Sequence, residues 1–213
     1  MTLSLTITAR DQDLLETLTR RVRLLPMQIA AQIWWPDARS RRTARRRLDL
    51  LARAGWIDCH MINAHPLLPV LRPLFTWEPG QDDPDAEHIA SQSRARWSQA
   101  ARPLEVCVAS SLAASLLGST ARRLPPPDQR DHDLRLAAVY VHYRVALPRL
   151  AELWIGQHAL AKAGYQIKDP DALLRDENGR VLRVIESAGR NGAPQIERFH
   201  EHCVDFDLPY ELW

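Results

Sequence analysis

The segment 38–54 constrains the fold of this chain most, because its apolar and basic residues separate onto opposite sides of a single helix. At 100° per residue, Ala44, Leu48 and Leu51 fall on one stripe, and Gly55 follows as a C-terminal stop. The opposite side is basic and carries Arg39, Arg42, Arg46 and Arg53. The pattern predicts an amphipathic helix that packs one face on a core and turns arginines outward.

Two shorter helices are predicted before the basic helix. Thr8 and Asp11 have the spacing of a capping box, and Leu14 opens an apolar pattern with helical period. Pro26 can occupy the first turn of a second helix. Trp35, which precedes a proline, should end that helix because a residue before proline disfavours the α region.

Two short strands are predicted after the basic helix, at 56–62 and 73–77, joined by a proline-broken loop. Three helices followed by a hairpin is the order of a winged helix-turn-helix. Residues 1–78 are therefore predicted to form such a domain. Residues 79–103 concentrate proline, glycine and aspartate before a helix-prone stretch, which favours a linker and a bridging helix.

Charge is distributed unevenly along the chain. The whole sequence has a net charge of +2, but residues 1–56 hold eleven arginines against five acidic residues, a local charge of +6. Neutralisation of phosphates by arginine supplies the sequence-independent part of DNA affinity, so this segment is predicted to face a polyanion. A general arginine bias from a GC-rich coding sequence is the alternative, since the chain has only two lysines.

The basic helix supplies the candidate contacts to double-stranded DNA. Arginine can span guanine O6 and N7 or bridge phosphates, and the second helix of a helix-turn-helix presents such residues to the major groove. The base-reading candidates are Arg42, Thr43 and Arg46. The full set of candidate DNA contacts is Arg39, Arg41, Arg42, Thr43, Arg45, Arg46 and Arg53.

Two other interpretations of the basic helix stay open. It could be an ordinary solvated helix on which Asp49 pairs with Arg46 and Arg53. It could also bind an acidic protein partner, which would make the chain an interaction adaptor. Because many winged helices act as two-fold dimers, a homodimer is expected if the DNA interpretation holds.

Residues 104–213 are predicted to form a second, α/β domain, which makes the chain α+β overall. The expected order from residue 133 is a helix, three strands, a helix and a strand, with 171–175 and 181–187 paired across the Asn178-Gly179 turn. Asp171 at the start of one strand and Glu186 at the end of the next should therefore meet across the ladder. Asp133 could add a third carboxylate, although a helix cap at Asp131 or Asp133 is the preferred interpretation.

This arrangement resembles the PD-(D/E)xK nuclease fold, on the Pro170-Asp171 and Ile185-Glu186 pairs. The resemblance implies that Asp171 and Glu186 are the catalytic residues and the ligands of Mg²⁺, which would activate water and stabilise charge on a phosphate. The lysine that the fold places two residues after the second acid is Ala188 here. Arg190 or Arg198 could help electrostatically but not as a base, so an inactive site without a cofactor is expected.

With a helix-turn-helix at 5–54 in front of those acids, the chain resembles the replication-relaxation family of bacterial plasmids and mobile elements. The resemblance also uses the strand 105–111 and the His132-Asp133-Leu134 helix start. It implies a role in replication, mobilisation or transcriptional control of DNA. An Mg²⁺-dependent nuclease is the alternative.

The remaining signals point to packing. Cys59, Cys107 and Cys203 lack metal-ligand spacing and are expected to be buried thiols. His200 and Cys203 share a helix face, but an inward-packed Cys203 is favoured over a metal. Tryptophans such as Trp34 and Trp77 are expected in cores. The sequence shows no long apolar run or signal segment, so a cytoplasmic protein is expected.

Overall fold

A computed structural model describes residues 5–37, 41–65, 72–95, 99–119, 124–160 and 169–213. The chain is α+β and divides into two compact units, each made of two separate stretches. The first unit comprises Met1–Ala64 and Ala101–Ala137, and the second comprises His65–Ala100 and Ala138–Trp213.

Three helices of the first unit follow the predicted order. The first, α1 (Ala9–Glu16), starts at the predicted capping box, in which Thr8 and Asp11 bond each other's backbone, and continues into a π-helical turn, Thr17–Arg21. The second, α2 (Met27–Trp34), directly follows Pro26, and the third is α3 (Arg41–Arg53). Their apolar faces form a core that includes Leu14, Leu18, Trp34, Leu48 and Leu51.

A three-stranded antiparallel sheet completes the first unit, in the order β1 (Leu25–Pro26), β4 (Arg102–Ala109), β2 (Ile57–Ala64). The predicted hairpin is therefore wrong in its pairing. Strand β2 pairs along its whole length with β4, whereas β3 (Phe75–Trp77) belongs to the sheet of the second unit. Alternation identified both strands, but it cannot identify a partner that follows an insertion.

Two more helices begin in the first unit. Ser110 caps α5 (Ser111–Leu116) by accepting the Ala113 N–H. The long helix α6 (Pro127–Ala146) contains both Asp131 and Asp133, so the predicted cap at either residue is wrong. Asp133 is buried instead, with its carboxylate 3.7 Å from the guanidinium of Arg23.

The second unit contains a five-stranded mixed sheet, in the order β3, β8 (Tyr210–Leu212), β7 (Val181–Glu186), β6 (Ala172–Arg175), β5 (Trp154–Gly156). Neighbouring strands are antiparallel except β7 and β8, which are parallel. The predicted turn between β6 and β7 is confirmed, with Gly179 at a φ of +85°. Two helices complete the order, α7 (Pro148–Glu152) and α8 (Ala193–Asp205).

Helix α4 (Ala86–Ala95) is part of the core of the second unit and not a bridge. Ala86, Ile89 and Ala90 are buried in one cluster with residues of α8 and the sheet. The acidic segment before α4 is also fixed, because the Trp77 indole N–H donates to the Gln81 carbonyl at 3.2 Å. Its composition resembles a linker, but its side chains and backbone are tied down.

The observed units therefore differ from the predicted boundaries at 78 and 104. Residues 102–109 complete the first sheet, and residues 75–77 extend the second. The chain enters the second unit before it has finished the first. A scheme with one contiguous segment per domain could not represent that path.

Candidate functional site

Three arginines of α3 point into solvent. Arg41, Arg42 and Arg46 are exposed, and none forms a hydrogen bond or an ion pair with any residue that the structure describes. Thr43 is exposed beside them. These side chains form a patch of positive charge that no described residue neutralises through an ion pair.

Arg45 does not belong to this exposed patch, although the sequence suggested it as a DNA contact. Its two terminal nitrogens each lie 2.5 Å from a carboxylate oxygen of Glu105 on β4, and its Nε lies 2.9 Å from Asp49. These hydrogen bonds, to Glu105 first and Asp49 second, raise the pKa of Arg45. Two carboxylates already neutralise this guanidinium, so it is occupied within the protein.

The same contacts correct the ion pairs that the solvated-helix alternative assigned to Asp49, whereas the outward side of α3 is exposed as that alternative expects. Asp49 binds the side chain of Arg45 and not that of Arg46. Arg53 is exposed and, among the described residues, donates to the backbone carbonyl of Asp49 at 3.3 Å. Arg46 therefore has no ion pair with the described residues and can bind a partner. Arg39 lies outside the described residues.

A second internal arginine, Arg47, attaches α3 to α1. Its guanidinium binds the fully buried carboxylate of Asp11 and also donates to the carbonyl of Thr6 at 2.8 Å. Burial works against ionisation of Asp11, but hydrogen bonds from Arg47 and Thr8 outweigh it and lower the pKa of that carboxyl. Arg45 and Arg47 thus fix the helix from which Arg42 and Arg46 project.

An open cleft of about 630 Å³ lies beside the N-terminal end of α3. Its wall includes Trp35, Arg41 and the ion pair of Arg45 with Glu105. Of the two arginines in this wall, Arg45 is paired with Glu105, whereas Arg41 has no ion pair with a described residue. An anion of modest size can therefore approach Arg41 from the cleft side.

Asp171 and Glu186 meet in the second unit as predicted. The register pairs Ala172 with Ile185, which places the two acids opposite each other across β6 and β7. Each carboxylate accepts a backbone N–H of the opposite segment, Glu186 from Asp171 at 3.2 Å and Asp171 from Ser187 at 2.8 Å. The acids thus help to hold the ends of the two strands together.

This pair is a poor fit to the Mg²⁺ site that the nuclease resemblance implies. Asp171 has no exposed surface, while Glu186 lies at the wall of a cleft of about 590 Å³ together with Arg198. The lysine position is taken by Ala188, which is fully buried in the apolar core. Within the described residues, no three histidine, cysteine or carboxylate side chains come together as metal ligands.

The His200 and Cys203 pair is also a packing feature. Both ring nitrogens of buried His200 have protein partners, the Tyr210 hydroxyl at 2.9 Å and an Asp83 carboxylate oxygen at 3.0 Å. Cys203 is buried as predicted, and burial raises the pKa of its thiol to about 12. Neither side chain is arranged to hold a metal.

Sequence reasoning missed the two carboxylates that anchor α3. Asp11 was recognised only as a capping residue, and Glu105 only as part of a strand. Both partners are distant in sequence from Arg45 and Arg47, so local spacing carried no signal. Alternation on β4 could have shown only that Glu105 and Cys107 share one face of the strand.

Comparison with known proteins gives no family for this chain: no family model, curated protein or solved structure matches it. In the part of the chain that the structure describes, no helix combines the length and the apolar character needed to cross a bilayer.

Proposed function

We propose that the protein binds duplex DNA through α3. The observation that carries the proposal is the exposed group Arg41, Arg42 and Arg46, which has no ion pair among the described residues while its neighbours Arg45 and Arg47 are held by carboxylates. Arg42 and Arg46 lie one turn apart on the same face of α3, an arrangement that suits phosphates and the major-groove edge of guanine, while Arg41 lies toward the cleft. Arg42, Thr43 and Arg46 are the residues proposed to read bases.

The chain order of the first unit supports a winged-helix interpretation. Its elements run α1, β1, α2, α3, β2, β4, and the sheet order is β1, β4, β2. In this interpretation β2 and β4 are the two strands of the wing, and residues 65–100 are an insertion between them. Helix α3 is then the recognition helix, since it follows α2 directly and packs against it.

The test is fluorescence anisotropy on labelled duplexes over a series of salt concentrations, comparing the wild type with Arg42→Ala/Arg46→Ala. Each lost phosphate contact lowers the slope of log affinity against log salt by roughly 0.9, so the double variant should lose roughly two units of slope if both residues contact phosphates. A smaller loss of slope with relaxed sequence preference would assign them to bases instead.

The matched control is Arg94→Ala/Arg149→Ala, which removes the same charge from exposed helical arginines of the second unit. Its binding should match that of the wild type. Equal weakening in both double variants would refute α3 as the interface, because only net charge would then matter. Absence of salt-dependent binding to any duplex would favour the adaptor alternative.

For the second unit we propose a nuclease-like fold without nuclease activity, serving as a scaffold or dimerisation surface. The order from α6 through β5, β6, β7 and α8 to β8, with β8 parallel to β7, supports a PD-(D/E)xK-like interpretation. Two features support the absence of nuclease activity: the Asp171 side chain is fully buried, and Ala188 occupies the position of the lysine. This combination is why we also propose a replication-relaxation-type role on a bacterial plasmid or mobile element, as a cytoplasmic homodimer.

The activity part of the proposal has its own test. Supercoiled and linear DNA are incubated with the protein with and without Mg²⁺, and the products are separated on a gel. Intact DNA is the expected result. Cutting that requires Mg²⁺ and disappears in Glu186→Gln would instead establish the nuclease alternative.

A further inference from the structure

Two cysteines of the first sheet lie directly opposite each other. The register of β2 and β4 pairs Cys59 with Cys107. The type of this pair follows from the end of the ladder, where the Ser110 N–H donates to the Trp56 carbonyl at 3.2 Å. Trp56 and Ser110 therefore form a hydrogen-bonded pair. Because hydrogen-bonded and non-hydrogen-bonded pairs alternate along an antiparallel ladder, the Cys59–Cys107 pair, three steps further along, is not hydrogen-bonded.

Two prolines agree with this assignment independently. Pro103 faces Asn63 four residues along β4 from Cys107, and so occupies the same type of position. Pro26 faces Val106 on the other side of β4, where the alternation again requires no N–H between the strands. A proline can donate no hydrogen bond, so both fit only at these positions of their ladders.

The spacing of such a pair suits a disulfide. Opposed residues without hydrogen bonds have Cα atoms about 4.5 Å apart, and disulfides span Cα separations of about 4.4–6.8 Å. Both thiols also point toward the same stretch of chain: the sulfur of Cys59 lies 3.9 Å from that of Met27, and the sulfur of Cys107 lies 3.6 Å from the carbonyl of Leu25. A rotation about the Cα–Cβ bonds can turn each sulfur toward the other.

The two thiols differ in their access to solvent. Cys59 is exposed, whereas Cys107 is completely buried. We propose that Cys59 and Cys107 form a site of reversible oxidation, in which Cys59 reacts with a small disulfide and Cys107 resolves the product into a cross-strand disulfide. Only one member of the pair needs to meet the oxidant, so the buried member does not prevent the reaction.

With oxidised glutathione as the oxidant, the reaction takes two exchange steps. The Cys59 thiolate attacks one glutathione sulfur, forms a mixed disulfide, and releases a glutathione thiolate that takes up a proton. The Cys107 thiolate then attacks the Cys59 sulfur, forms the protein disulfide, and releases the second glutathione. The two protein thiols lose two electrons and two protons, and one oxidised glutathione becomes two reduced molecules.

The environment makes this a slow reaction at neutral pH. Loss of water around the sulfur is the main cause that raises the pKa of both thiols, and this loss is partial at Cys59 and complete at Cys107. For Cys59 the further influences, in decreasing order, are Glu105 (raising), Arg45 (lowering), Asp49 (raising) and Asp58 (raising). Because the thiolate is the nucleophile, the rate should rise about tenfold per pH unit below the thiol pKa.

The experiment incubates the reduced full-length protein in glutathione buffers of increasing oxidised fraction, at several pH values, then denatures and alkylates it. Intact mass and peptide mapping should show two of the three thiols protected. The expected product is a cross-linked peptide that joins Cys59 to Cys107 and disappears on addition of dithiothreitol.

Cys203→Ser, which removes the other buried thiol, should form the disulfide as the wild type does. Cys59→Ser, a change at an exposed position, should leave both remaining thiols fully alkylated. The proposal is overturned if Cys59 stops at the mixed disulfide with glutathione under all conditions. It is equally overturned if the only protein disulfide formed joins Cys59 of two chains.

Discussion

Replacing Arg47 should destabilise the first unit more than replacing any exposed arginine of α3, because of the carboxylate that Arg47 covers. Asp11 has no exposed surface and takes one bond from Arg47 Nε at 2.9 Å and a second from its terminal nitrogen. Arg47→Ala would leave a buried carboxylate without a counter-charge. Breaking a buried pair from one side typically costs about 3–5 kcal/mol.

We expect a value near the lower end, about 3 kcal/mol, because part of the solvation of Asp11 remains. The backbone N–H of Thr8 at 2.7 Å and its hydroxyl at 2.6 Å still bind the carboxylate. The free energy of unfolding would be measured by urea denaturation at pH 7, followed by far-ultraviolet circular dichroism. Asp11→Asn/Arg47→Ala, which removes both charges, should lose less than Arg47→Ala alone.

The control is Arg46→Ala, the adjacent exposed arginine on the same helix. Its effect should stay within about 0.5 kcal/mol, as is usual for surface positions away from special contacts. Equal unfolding free energies for Arg46→Ala and Arg47→Ala would refute the reasoning, since burial of Asp11 would then have no energetic consequence.

The pH dependence gives the same prediction a second readout. The folded protein lowers the pKa of Asp11, so its contribution to stability is present above the unfolded pKa of about 3.9 and is lost as pH falls through the folded value. In Arg47→Ala, burial without the arginine should raise the pKa of Asp11 instead. Protonation of Asp11 then removes the buried charge and restores part of the lost stability. The gap between variant and wild type should therefore narrow as the pH is lowered toward about 4.

Two further predictions concern the second unit, both measured by urea denaturation. Glu211→Ala should lower the free energy of unfolding by about 3 kcal/mol, because the buried carboxylate accepts hydrogen bonds from Tyr143, Arg183 and Trp213. Tyr143→Phe removes one of these bonds and should lower it by about 1 kcal/mol. Equal losses in the two variants would contradict this reasoning. Gly179→Ala should cost about 1 kcal/mol because its φ is +85°; an unchanged midpoint would show that the turn tolerates a side chain.

Local signals in the sequence predicted the elements well. The capping box at Thr8 and Asp11, the turn at Gly179 and the amphipathic face of Leu48 are all present. These features depend on contacts between residues a few positions apart, which spacing alone reveals. The opposition of Asp171 and Glu186 was predicted as well, but the turn alone does not fix it, because the ladder shifts by one residue between Leu174 and Arg175.

Signals that depend on distant partners failed. The strand at 57–64 was assigned to the next strand along the chain, but its partner is β4, beyond an insertion with its own strand and helix. Strand β1 was missed altogether because two residues, one of them proline, carry no alternation. Cys59 was expected to be buried and is exposed, although it shares a sheet face with the buried Cys107, because β2 lies at the edge of the described sheet.

The interleaved path of the chain matters for how the protein is made and inherited. During synthesis on a ribosome, β2 emerges well before its partner β4, and β3 well before its partner β8. Until those partners are made, β2 and β3 have unpaired edges with which other nascent chains could pair. Neither unit can be moved between genes as one uninterrupted stretch. A fragment that ends at residue 78 would leave the eight residues of β2 without their partner strand. Recombination or truncation therefore has to keep both stretches of each unit together.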